Sequence, residues 1–145
     1  MKKLSLLFQL ISLVLFSITS VKALNSNCAD LSIKGDEGTI LKVDYYKKGS
    51  DIVVFKIKIH NSNSKDANFK VNGYLRDANK RDEKMNIGLE ETIFVLANKD
   101  EFVEISVYKS SVDNLPQPQA VFELKTERGK FIVDYTIGIN KGDLK

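Results

Sequence analysis

Apolar and polar residues alternate with a period of two along most of this chain, the spacing of strands and not of helices. Leu41, Val43 and Tyr45 interleave with Lys42, Asp44 and Tyr46 before a Lys47-Lys48-Gly49-Ser50 turn. Val53, Phe55, Ile57 and Ile59 then alternate with Val54, Lys56, Lys58 and His60. That is the pattern of a strand with one dry and one wet face, and β-branched residues on the dry side suit a pleated surface. His60 to Asn68 reads as a polar loop, because short Asn and Ser side chains bond to their own backbone. Phe69, Val71, Gly73 and Leu75 resume the alternation, and Arg76 to Lys84 reads as a second, charged loop.

Met85, Ile87 and Leu89 share one face, but at Glu90-Glu91 the phase falters and Ile93 to Leu96 is continuously apolar. Only a bulge or a crossing between sheets reconciles the two patterns. Val103, Ile105 and Val107 form a further inward row. Pro116 and Pro118 cannot donate to a ladder, so Ser110 to Gln119 reads as a loop or an edge. Phe122 and Leu124, a tight return at Glu127-Arg128-Gly129, and Phe131, Val133, Tyr135 and Ile137 predict a hairpin. Leu31 and Ile33 suggest a short first strand. Seven or eight strands with no convincing helix predict an all-β, antiparallel two-sheet sandwich, with a small barrel as the alternative. An immunoglobulin-like order is compatible with this, although the Cys-Trp-Cys signature is missing.

The first 23 residues follow different rules. Lys2 and Lys3 precede a mostly apolar stretch from Leu4 to Ile18, and Val21 and Ala23 supply small residues at −3 and −1. This is the layout of a cleavable export signal, too short and too diluted by polar residues to persist as a membrane anchor. The expected organisation is therefore a signal peptide over 1–23, a mature N-terminal segment over 24–38 and a sandwich domain over 39–145. The precursor has 22 basic and 19 acidic side chains, but Lys2, Lys3 and Lys22 lie in the leader, so the mature part balances. Charges of both signs also alternate along the chain, which argues against nucleic acid as a partner. No N-x-Ser/Thr sequon occurs, in keeping with a bacterial exported protein in the periplasm or outside the cell.

Candidate chemistry is sparse. Cys28 is the sole cysteine; it cannot bridge internally, and in an oxidising compartment it could link two copies. His60 is the sole histidine and opens a polar loop, a poor frame for a catalytic dyad with Cys28. One Cys and one His do not fill a tetrahedral zinc site. Asp77 to Glu83 begins like a calcium loop, but Arg81 and Asp82 stand where that pattern wants an oxygen ligand and a glycine. Glu90 and Glu91, as strand neighbours, should point to opposite faces and not form a glycosidase pair. No catalytic residue, cofactor site or metal site is assigned. Tyr46, Tyr74 and Tyr108 fall on outward or boundary positions and are the candidate interaction residues.

The sequence thus points to a non-catalytic exported binding or protein-interaction domain, whose partner is another protein or an envelope component. The alternatives are a structural or assembly subunit that pairs through an edge strand, and a small secreted enzyme with a loop-built carboxylate site. If the leader reading holds, the exported form begins at Leu24. Intact-mass measurement of that form checks this, and Ala23 replaced by a bulky charged residue should leave the precursor uncut.

Overall fold

The computed structural model describes residues 37–145. The leader expected over 1–23, Cys28 and the short strand expected at Leu31 and Ile33 lie outside the described residues. Seven strands follow in order: β1 (Gly38–Lys48), β2 (Ile52–Asn61), β3 (Ala67–Asp77), β4 (Lys80–Val95), β5 (Asp100–Tyr108), β6 (Pro118–Thr126) and β7 (Phe131–Gly138). A short helix, α1 (Lys109–Asp113), links β5 to β6, and a 3-10 turn spans Lys141–Leu144. The strands form two sheets, ordered β1-β2-β5 and β4-β3-β6-β7, and all neighbours are antiparallel. This is an all-β sandwich and not a closed barrel. In the constant-type immunoglobulin sandwich the fourth strand joins the sheet of the first, second and fifth; here β4 pairs with β3 instead.

The break expected at Glu90-Glu91 is present. Gly73 pairs with Ile87 and Val71 with Glu91, so two residues of β3 span four of β4. Counted as two segments about this bulge, β4 makes the second sheet five-stranded. The bulge lets the apolar pattern change phase within one strand. The hairpin at Gly129 also forms, with φ at 84°, a conformation that glycine adopts without a steric cost.

The core lies between the central strands. Phe55 on β2 meets Phe122 on β6 across the sandwich, ring centroids 5.2 Å apart and planes at 57°, a favourable tilted geometry. Tyr45 extends the stack, its ring centroid 6.2 Å from that of Phe55. Phe122 lies directly opposite Gly73 on β3, and a Cβ built at Gly73 would fall 2.9 Å from a carbon of the Phe122 ring. Glycine in a strand interior ordinarily weakens it; here its missing side chain is the space the ring occupies. Val53, Ile57, Ile59, Phe69 and Leu124 are fully buried around this contact.

Several expectations are corrected. Phe131 is 54% exposed, because the β6–β7 register slips between Val133 and Phe131 and inverts the phase. Leu41 is exposed because the β1–β2 register shifts around it. Met85 reaches the sheet edge and is also exposed. Lys80 to Lys84 forms the first turn-proximal part of β4 and not a loop. The segment after β5 contains a helix, anchored by fully buried Val112.

Replacing Phe55 with Ala should cost about 3–5 kcal/mol through lost transfer energy and a residual cavity. Gly73→Ala should cost about 1–3 kcal/mol by forcing the Phe122 ring from its place, whereas Lys56→Ala should stay within about 0.5 kcal/mol. Chemical denaturation of the three variants measures the ranking.

Candidate functional site

The polar residues of the loops are committed to structure. Asn61 is fully buried at the end of β2, and its side-chain amide donates to the carbonyls of Lys65 and Val95, both at 2.9 Å. Its side-chain oxygen accepts the Asn63 N–H, so one side chain ties the β2–β3 loop to the end of β4. At the opposite loops, Asp77 accepts the N–H of Asn79 and of Gln117, each at 2.8 Å. These bonds, that from Gln117 first, hold its carboxyl below the usual range. With both oxygens aimed at backbone amides, Asp77 closes two turns, which removes the leading ligand from the calcium pattern weighed over Asp77 to Glu83.

His60 does gain a partner. Its Nδ1 lies 2.7 Å from one oxygen of Asp100, and Lys58 Nζ lies 3.1 Å from the other. These contacts, that with His60 foremost, lower the Asp100 pKa. Together with Leu41, Asn98 and Lys99 the His60–Asp100 pair lines an open depression of about 510 Å³. Among the described residues no serine, threonine or cysteine lines this depression, and the pair makes a polar clasp between β2 and β5. Glu90 is ion-paired with Lys70 at 3.4 Å and with Lys125 at 3.7 Å, while Glu91 lies opposite inward Val71; the two carboxylates do not converge. Among the described residues no group of three His, Cys, Asp or Glu side chains is placed to hold a metal ion. No helix among them is long and apolar enough to cross a membrane.

The three candidate tyrosines separate. Tyr46 pairs with Val54, and Val54 with Ser106, one row from Ile52 and Tyr108. Tyr46 and Tyr108 therefore share the outer face of the first sheet. Tyr46 is held by a 3.4 Å hydrogen bond to Glu104; Tyr108 is 68% exposed and rims a groove of about 390 Å³ between β4 and β5, with Met85, Ile87 and Val107. Tyr74 belongs to the other sheet, is buried, and lies under the Lys84 ammonium, 4.6 Å from its ring centroid.

The four sheet edges differ in a way that local sequence reading missed. A sheet edge presents unpaired backbone groups, which proteins usually guard with charges, proline or bulges. β1 carries Lys42, Asp44, Lys47 and Lys48 and a register shift. β4 carries five charged residues in its first five positions and a wide bulge. β5 carries Asp100, Glu101 and Glu104. β7 has one charge, Asp134, and after its early slip runs regularly from Val133 to Gly138. Among the described residues it pairs only with β6.

Its free groups follow from the ladder. Ile139 N–H bonds the Pro118 carbonyl at 2.9 Å, which makes that opposed pair a hydrogen-bonded one. Alternation then directs the N–H and C=O of Val133, Tyr135 and Ile137 towards β6, and those of Asp134, Thr136 and Gly138 outward. The one legible signal was compositional: eight residues, FIVDYTIG, rich in β-branched and aromatic side chains.

No protein-family model matches this chain, and no curated protein sequence matches it either. Solved structures do resemble it in fold. A putative β-galactosidase from Bacteroides fragilis superposes with a TM-score of 0.52 at 10% identity, over 72% of this chain and 18% of that one. The β-glucosidase DesR from Streptomyces venezuelae gives 0.47 at 11% identity, over 71% of this chain and 15% of that one. This chain thus spans less than a fifth of either enzyme chain, and the likeness to the Bacteroides fragilis protein is one of fold alone.

The lowered carboxyls set an acid dependence. A depressed folded pKa adds stability above the unfolded value of about 3.9, and this is lost as pH falls through the folded value. Between about pH 5 and pH 2 the urea midpoint of the wild type should therefore fall more steeply than that of Asp77→Asn/Asp100→Asn. Parallel slopes would remove these two groups from the acid response.

Proposed function

We propose that this chain is a non-catalytic exported module that binds a protein partner by accepting a strand at the open edge of β7. The observation that carries this reading is an edge that no other described strand pairs: three residues, Asp134, Thr136 and Gly138, aim backbone donors and acceptors away from the sheet. Main-chain pairing of this kind supplies affinity, and side chains on alternate faces supply selectivity. Export over a cleaved leader, residues 1–23, would place the module in the periplasm or outside the cell, where an envelope protein is the natural partner. This joins the binding and assembly readings into one mechanism. The reading as a small secreted enzyme with a loop-built carboxylate site has less behind it: Glu90 is ion-paired with Lys70 and Lys125, and among the described residues no serine, threonine or cysteine lines the depression beside His60.

Thr136→Pro tests the proposal. Proline removes the outward N–H of residue 136 while leaving the β6 ladder bonds of residues 135 and 137 in place. Wild-type protein should retain an envelope protein that the variant loses, with the denaturation midpoint little changed. Equal retention by both would contradict the edge reading, and turnover of an aryl β-glycoside by the purified chain would replace it with the enzymatic one.

A further inference from the structure

Resting on the edge reading, we propose that the strand accepted at β7 is an antiparallel peptide with a set side-chain pattern. It carries an aromatic residue facing Gly138 and, four residues later, a lysine or arginine facing Asp134. Antiparallel pairing lets each of Asp134, Thr136 and Gly138 exchange both outward backbone bonds with the residue directly opposite. Val133, Tyr135 and Ile137 pack against the core, so these three residues share the outer face. Its rows Glu123–Asp134, Val121–Thr136 and Gln119–Gly138 then continue across the edge into the incoming strand.

Two of those rows are incomplete within this chain. Asp134 stands directly opposite Glu123, at a non-hydrogen-bonded pair, where side chains are closest and like charges destabilise. Lys125 lies 3.8 Å from Glu123 and 3.7 Å from Glu90, so its charge is already shared. Among the described residues Asp134 has no ion pair. A cation at the next place in that row, on the incoming strand, neutralises Asp134 and relieves the opposition. At the other end, neither backbone angle nor packing requires glycine at 138. Its φ is not among the positive ones, and a Cβ built there meets no atom within 4 Å. Glycine inside a strand weakens it and marks the close approach of another group. Beside Gly138 and its ladder neighbour Gln119 lies a depression of about 580 Å³, walled by Pro116, Pro118, Asn140 and Lys141. An aromatic side chain opposite a strand glycine covers the bare backbone, and here the ring enters the depression beside the two prolines.

Fluorescence anisotropy with the purified protein reads the pattern. The probe is a labelled seven-residue threonine–valine peptide with tyrosine at its second position and lysine at its sixth. It should bind saturably, and glutamate in place of its lysine should raise Kd roughly tenfold. Asp134→Lys should reverse that order and prefer the glutamate peptide. Alanine in place of the tyrosine should raise Kd about fivefold. Gly138→Val, which fills the depression, should abolish that difference with the urea midpoint little changed. The probe sequence in reversed order should bind more weakly. No saturable binding, a lysine preference that survives Asp134→Lys, a tyrosine preference that survives Gly138→Val, or tighter binding of the reversed peptide would overturn the inference. Equal binding of all the peptides, lost in Thr136→Pro, would defeat the side-chain pattern and leave the edge reading standing. Probe binding that Thr136→Pro leaves intact would defeat the edge reading itself.

Discussion

The Phe122 ring, seated over Gly73 and tilted against Phe55, is the contact on which the rest of the sandwich depends. It joins the middle strand of one sheet to the two middle strands of the other. A side chain at position 73 would lift the ring, and without the ring the sheets would lose the aromatic contact that sets their separation. Because the strongest packing is central, the edges carry little of the stability. An edge can then remain open without endangering the fold.

The two seams between the sheets are treated differently. On the β1–β7 side the chain closes its own gap: Tyr45 donates to Asp143 and accepts the Asn140 N–H, and Ile139 and Leu144 are buried beneath. Burial is the main reason the Tyr45 phenol titrates above its ordinary value. The closure holds the strand end and leaves the outward backbone of β7 clear. On the β4–β5 side, α1 drops Val112 into the core, and a shallow groove remains between Met85 and Tyr108. There both flanking strands carry charges, and β4 bulges. Guarding is therefore concentrated beside the groove, and it is lightest along β7.

Much of the fold was legible because two-residue alternation survives wherever a strand has one dry face. β2 is the clearest case: Val53, Phe55, Ile57 and Ile59 are all fully buried. The phase break in β4 was also legible, since no single face could hold both Ile87 and the run at Ile93 to Leu96. The slips at Leu41 and Ile132 were not legible, because a one-residue irregularity leaves composition unchanged while turning a side chain outward. α1 was missed because five residues are too few to show a helical period. Asn61 reads as one more loop asparagine, and its tie to β4 depends on the Val95 carbonyl, 34 residues away in sequence. The open edge was hidden for a deeper reason. Whether FIVDYTIG is a central or an outer strand depends on strand order, which local pattern does not encode.

Backbone hydrogen exchange at β7, followed without and with the tyrosine–lysine peptide, tests the central claim most directly. In the free protein the amides of Val133, Tyr135 and Ile137, bonded to β6, should exchange slowly, and those of Asp134 and Thr136 quickly. Adding the peptide should protect the second set and leave the first unchanged. Slow exchange at Asp134 and Thr136 already in the free protein, or fast exchange at saturating peptide, would contradict an edge kept open for a second strand.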